Sequence, residues 1–270
     1  MGPVIKTEDL WFAYEENKWI LKKINLEIFP GETVSIIGPN GCGKTTLVKH
    51  FNGLLKPTRG KVFINGIDTT KASIAELSRI VGYVFQNPNY QIFSTNIFEE
   101  VSFGPKNFGI KKLREVVVTA LTEVGLEDKI KSSPFLLSHG EKERLAIASI
   151  LAVNPQVLIL DEPTIGQDTF TTQRILRIVK KMKRDKKVVI IITHDLELVA
   201  ECSDRVLVMN NGRIVKDGNP YSIFSDEKLL KKLQLPLPPV MIVGKSLGMI
   251  PPPLTLKEFE RRFKDEVNRV

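Results

Sequence analysis

Apolar and polar positions largely alternate through IKTEDLWFAY and ILKKINLEIF in the first thirty residues, the period of strands with one wet face. The pattern then changes. TVSIIG (Thr33–Gly38), QVLILDEP and KVVIIITHD are short unbroken apolar runs, as in strands buried on both faces. KVFING (Lys61–Gly66) and RIVGYVFQ (Arg79–Gln86) predict two further strands. Residues 87–136 read as loop then helix, clearest in LREVVVTALTEVG, and RVLVMNNGRIVKDG predicts a hairpin turning at Asn211-Gly212. Short buried strands alternating with helices predict an α/β fold with a mainly parallel sheet, and the antiparallel N-terminal strands add a β layer beside it. After about Pro220 the chain becomes proline-rich and charged, which predicts a separate appendage.

The chain has 270 residues, 42% hydrophobic and 26% charged, enough for one large α/β domain and an extension. A net charge of +8 suits a polyanionic ligand or an acidic surface. Aromatic residues are few and not interleaved with basic clusters, so no nucleic-acid partner is expected. The basic run KKMKRDKK (Lys180–Lys187) reads as a solvated helix end. Two cysteines, Cys42 and Cys202, fit a reducing compartment. The N-terminus lacks the apolar stretch of a signal peptide, and Leu235–Leu254, the most apolar long segment, is broken by prolines. A membrane role is therefore expected to be peripheral.

The chemistry starts at Gly38-Pro39-Asn40-Gly41-Cys42-Gly43-Lys44-Thr45, followed by Thr46. This is the spacing of a phosphate loop between strand and helix. Glycines let backbone N–H groups wrap a polyphosphate, Lys44 reaches the β and γ phosphates, and the Thr45 hydroxyl is suited to Mg²⁺. Asp161, at the end of LILDEP, can hold Mg²⁺ through water, and Glu162 can orient or deprotonate an attacking water. His194, after VVIIIT, can donate to a γ-phosphate oxygen, and Gln86 can offer its amide oxygen to metal or water. Lys44 and the helix start are expected to favour the Cys42 thiolate and make it reactive, with Cys202 far from the loop.

The order Tyr14, GPNGCGKTT, Gln86, LSHGE, LILDEP, PTIGQD and His194 resembles the ATP-binding subunits of ABC transporters across residues 4–220. The resemblance implies the P-loop NTPase fold of that family, with a helical subdomain at about 87–155. It implies a head-to-tail dimer with ATP sandwiched between subunits. Tyr14 would stack on adenine, with Trp11 and Phe12 as alternatives. The LSHGE signature of one subunit would contact the γ-phosphate held by the other, through the Ser138 hydroxyl and the backbone N–H at Gly140. LSHGEKERL also reads as an ordinary capped helix, Ser138 boxed with Glu141, and both readings can hold. His139 and Glu141 depart from the usual LSGGQ. Glu141 would bring negative charge nearer the phosphates, and the departures hint at two unequal ATP sites in a heterodimer. Asp168, in PTIGQD, would face the partner.

HFNGLLKPTRGKV and VFQNPNYQIFSTNIFEEVSFGPKN resemble the ATPase subunits of energy-coupling factor (ECF) importers. That implies a complex at the cytoplasmic face of the cell membrane, with an integral membrane coupling subunit and a substrate-binding membrane subunit for a vitamin or metal ion. Phe93, Phe98 and Phe103 would form a groove for a coupling helix, and residues 221–270 a dimerising extension. Two other readings compete: a soluble ATPase of the same family acting on nucleic acid or ribosomes, and a nucleotide-gated dimerisation module without turnover. The first would usually carry tandem cassettes, and the second needs neither Glu162 nor His194.

Overall fold

The computed structural model describes residues 2–164 and 169–267. The described residues hold ten strands: β1 (Ile5–Ala13), β2 (Trp19–Ile28), β3 (Thr33–Ile37), β4 (Arg59–Ile64), β5 (Ile67–Asp68), β6 (Val81–Val84), β7 (Val157–Asp161), β8 (Val188–Ile192), β9 (Arg205–Asn210) and β10 (Arg213–Gly218). The helices among them are α1 (Lys44–Phe51), α2 (Ile74–Ser78), α3 (Ile97–Asn107), α4 (Leu113–Val124), α5 (His139–Leu151), α6 (Thr169–Arg184), α7 (Leu196–Cys202), α8 (Pro220–Phe224), α9 (Glu227–Lys232), α10 (Pro239–Ser246) and α11 (Leu256–Val267).

The strands form two sheets. One is antiparallel, in the order β2-β1-β4-β5. The other, in the order β10-β9-β3-β8-β7-β6, is parallel except for the β9–β10 hairpin, which turns at Asn211 and Gly212 with φ of 47° and 78°. Every residue of β3, β7 and β8 is buried, which explains why these segments read as unbroken apolar runs. Their pleat still sorts side chains by face. Val157 and Ile159 join a core shared with the antiparallel sheet and α1, while Leu158 and Leu160 join a second core under α3 to α6.

A third core lies beneath the C-terminal helices. There Ile223, Phe224, Leu230 and Met241 pack on Ile37, Leu196, Val206 and Val208. The strand expected at 79–86 is shorter, since β6 ends at Val84 and Gln86 lies two residues beyond. Among the described residues no helix is long and apolar enough to cross a membrane.

This layout delivers the chemistry to one edge. β3, β7 and β8 are neighbours with the same direction, so their C-terminal ends open side by side, where open α/β sheets place ligands. Pairing of Asp161 with Ile192 sets Glu162 beside Thr193 and His194.

Candidate active site

The loop leaving β3 is shaped by two glycines. Gly38 has φ 149°, and a Cβ there would come within 2.2 Å of the Met209 carbonyl oxygen. Gly43 caps α1 at φ 106°, and a Cβ there would meet Leu21 Cδ2 at 3.0 Å. No side chain caps α1, and its first turn carries no acid, so its leading N–H groups have no side-chain acceptor of their own. Lys44 is buried and folds back over the loop, donating from Nζ to the carbonyls of Gly38 at 2.7 Å and Pro39 at 3.1 Å. The ammonium is thereby held within the concave loop.

Cys42 corrects an expectation. Its side chain belongs to the hydrophobic core, and burial pushes the thiol pKa up despite the opposing pull of Lys44 and backbone N–H groups. A helix start favours an anion lying in front of it, whereas the Cys42 side chain turns back beneath the loop, beside Gly38. It is a packed thiol rather than a reactive one. Cys202 is buried too, donating to the Leu198 carbonyl at 3.0 Å, with its pKa pushed up to about 12 by burial.

Asp161, the last residue of β7, is buried and accepts two hydrogen bonds on one oxygen. Thr45 Oγ1 donates to Oδ2 at 3.1 Å, and Tyr83 Oη donates to the same atom at 2.7 Å. Glu162 adopts φ 54°, and its N–H donates to the Ile192 carbonyl at 2.7 Å. This left-handed turn swings the carboxylate towards β8, where Oε2 accepts the His194 N–H at 3.2 Å and Oε1 lies 3.1 Å from His194 Nε2. Burial raises the Glu162 pKa, against the His194 N–H and Lys44, which lower it. Burial and then Lys44 lower that of His194. The arrangement can therefore do base chemistry at Glu162 and donate from His194.

These groups share a cavity of about 460 Å³, which Asn40, Gly41, Gly43, Lys44, Thr45 and Thr46 line along the loop and Asp161, Glu162 and His194 line along the strand ends. Tyr14, Ile20, Gln86 and Ile192 complete the lining. Tyr14 is 59% exposed, with its hydroxyl 3.4 Å from Thr46 Oγ1 and its ring edge-on to buried Phe12 at 4.7 Å. Trp11 packs on Trp19 instead, at 5.3 Å, which leaves Tyr14 as the aromatic beside the loop. Gly38, Pro39 and Cys42 do not line the cavity. Thr45, Asp161 and Gln86 supply only oxygen donors towards a metal, and no cluster of three or more His, Cys, Asp or Glu forms a cage among the described residues. This set fits Mg²⁺, which keeps water and phosphate in its shell and needs few protein ligands.

Ser138 and Gly140 do not line this cavity. Ser138 is exposed and caps α5, accepting the Glu141 N–H at 3.4 Å, while its own N–H and hydroxyl donate to Glu141 Oε2, each at 2.9 Å. Glu141 also pairs with Lys129, and these contacts, Lys129 first, pull its pKa down to about 2. Its charge is thus paired with Lys129 within the chain. His139 points along the helix, with Nε2 3.3 Å from Glu143 Oε1. Of the expected aromatic groove, Phe93 and Phe103 are exposed and meet edge-on at 4.8 Å, but Phe98 is partly buried against the subdomain core. Asp168 lies outside the described residues.

Two residues went unnoticed in the sequence. Ile20 lines the cavity beside the loop, and Tyr83 holds Asp161. A tyrosine inside the fully buried VGYV strand was the available signal, because its hydroxyl must find an acceptor in the interior.

A family profile described as ABC transporter matches residues 21–165. Over 241 residues the chain is 44% identical to the energy-coupling factor transporter ATP-binding protein EcfA of Methanocaldococcus jannaschii, covering 88% of this chain and 86% of that one. Among solved structures, cbiO1 from Clostridium perfringens, part of the ABC transporter complex cbiONQ, superposes with a TM-score of 0.75 at 37% identity, over 88% of this chain and 97% of that one. A dimeric ATP-binding cassette in a post-hydrolysis state with ADP and Pi superposes with a TM-score of 0.73 at 31% identity, over 80% of this chain and 98% of that one. The parallel sheet, the loop and the strand-end carboxylates thus sit in a known frame, and the chain belongs to the ABC transporter family as one of its ATP-hydrolysing subunits.

Proposed function

We propose that this chain powers an ECF-type importer of a micronutrient, a vitamin or metal ion, from the cytoplasmic face of the membrane. Two such subunits close head to tail over ATP. The observation that carries the pairing is the placement of Ser138. One chain builds a cavity with base, imidazole, ammonium and aromatic, yet the Ser138 helix start stays outside it. A second subunit, the same chain or a paralogue, supplies that helix start. The importer branch is supported by the relatives EcfA and cbiO1.

Tyr14 stacks on adenine. The loop from Gly38 through Pro39 wraps the phosphates, with the backbone N–H groups of Asn40, Gly41, Cys42 and Gly43 as donors, Lys44 on the β and γ groups and Thr46 alongside. Thr45, Asp161 and Gln86 would hold Mg²⁺, which would supply positive charge to the phosphates when bound. Glu162 takes the proton of the attacking water, and His194 donates to the γ-phosphate as negative charge develops there. Ser138, Gly140 and Asp168 meet the partner's nucleotide. Exposed Phe93 and Phe103 face the membrane coupling subunit.

Isolation of the tagged chain from its host's membranes, with MgATP, tests this reading. Co-purification of an integral coupling subunit and a substrate-binding membrane protein, in a complex whose ATPase is vesicle-competent, is the expected result. Recovery with ribosomes or nucleic acid, and without membrane proteins, would overturn it.

A further inference from the structure

We infer that Tyr83 is a positioning residue for the metal carboxylate: its hydroxyl, donated to Asp161 Oδ2 at 2.7 Å, fixes the Asp161 side chain in the orientation that holds the divalent cation. The inference rests on the reading of Thr45 and Asp161 as metal residues.

The geometry carries it. Asp161 closes β7, and Tyr83 stands in β6 next to it, paired with Ile159 in parallel register. The phenol therefore reaches the end of β7 from the neighbouring strand, and Thr45 reaches it from α1. Oδ2 receives both O–H groups, while Oδ1 takes no protein hydrogen bond among the described residues. Two donors on a single oxygen set the plane of the carboxylate and leave the other oxygen available. Such outer hydrogen bonds orient ligating groups and tune their affinity for metal.

The tyrosine is itself closely packed. It is 5% exposed and packs edge-on against Phe85 at 4.6 Å. Its interior position would cost stability if the hydroxyl had no partner, so tyrosine and Asp161 constrain one another. Thr45 stands in the first turn of α1, directly after the phosphate loop, whereas Tyr83 stands in a fully buried strand of the sheet.

The variant is Tyr83→Phe, which keeps the ring and its packing. Affinity for a fluorescent ATP analogue is measured across a Mg²⁺ titration and again in EDTA, with thermal unfolding as a check and Asp161→Asn as the companion. In Tyr83→Phe the Mg²⁺ concentration for half-maximal tightening rises roughly tenfold, while affinity in EDTA is unchanged. A merely structural tyrosine would lower both affinities together, or neither. Unchanged Mg²⁺ dependence in Tyr83→Phe, with dependence lost in Asp161→Asn, overturns the role of Tyr83 alone. Full Mg²⁺ dependence retained in Asp161→Asn overturns the metal reading itself. Rescue of Tyr83→Phe by Mn²⁺, which binds nitrogen and oxygen sites more tightly than Mg²⁺, is expected and places the defect at the metal.

Discussion

Helices α1 and α5 start in opposite ways. Helix α1 begins on a left-handed glycine with no side-chain cap and no acid in its first turn, and it faces a cavity. Helix α5 begins on Ser138 with a complete capping box, and Lys129 neutralises the box carboxylate. An uncapped start leaves N–H groups and positive dipole for an anion. A capped start has committed part of them, the Ser138 and Glu141 N–H groups, to its own chain. The first is therefore ready for phosphate as the chain stands. The second keeps the Gly140 N–H for a phosphate, and its Ser138 hydroxyl joins only by turning away from Glu141. The two ends of one ATP site thus differ in how much rearrangement binding asks of them.

The largest expected effect breaks the strand-end side of this contrast without touching either helix. Glu162→Gln lowers kcat by about 10²–10⁴-fold, since an amide cannot take the water's proton, while ATP affinity is retained. Single-turnover hydrolysis with equilibrium nucleotide binding checks this. Near-normal turnover would remove Glu162 from its role.

Next comes the uncapped helix. Lys44→Ala loses a charge-assisted contact of about 1.5–3 kcal/mol, so nucleotide affinity falls by roughly ten- to a hundredfold in the isolated chain. Isothermal titration reads it directly, and equal affinity in variant and parent would contradict the loop reading.

The capped helix should answer differently. Ser138→Ala leaves ATP affinity of the isolated chain as it was, lowers stability by about 1 kcal/mol through loss of the cap, and lowers turnover of the assembled pair. Mixing Lys44→Ala chains with Ser138→Ala chains sharpens the point. A mixed pair has one cavity with both defects and one with neither, so turnover exceeds that of either variant if the chain pairs with itself. No gain on mixing would exclude a self-paired arrangement with sites shared across subunits.

The smallest effect concerns pH. Glu143, one turn into α5, is buried, with Oε2 unpartnered, and burial pushes its pKa up to about 7. A carboxyl raised in the folded state contributes stability that is present below its unfolded value of about 4.5 and is lost as pH rises through about 7. Glu143→Gln should therefore stabilise the protein by about 1–2 kcal/mol at pH 8 and by little at pH 5. Thermal unfolding at both values tests it, and an equal shift at the two would show that the carboxyl does not titrate there.

Much of this was legible in the sequence because the informative features are local. The phosphate loop, the buried runs before Asp161 and His194, and the Asn211-Gly212 turn each lie within a few consecutive residues, where spacing alone carries the geometry. What escaped depends on direction or on distance along the chain. Whether Cys42 faces the phosphates or the core is decided by how the loop lies over β3 and Met209, which no spacing reveals. Lys129 neutralises Glu141 from a separate turn of chain, and Tyr83 reaches Asp161 from 78 positions earlier. Phe98 shares its segment with Phe93 and Phe103, yet the α3 helix turns it inward while they stay outside.

The third core has a practical consequence for handling the protein. Ile37, Leu196, Val206 and Val208 are covered by Ile223, Phe224, Leu230 and Met241. A version ending near residue 220 would bare that aliphatic surface at the flank of β3, the strand that launches the phosphate loop. Such a truncation would invite self-association and crystals of the wrong object, so an expression boundary belongs beyond α10 rather than at the proline where the composition changes.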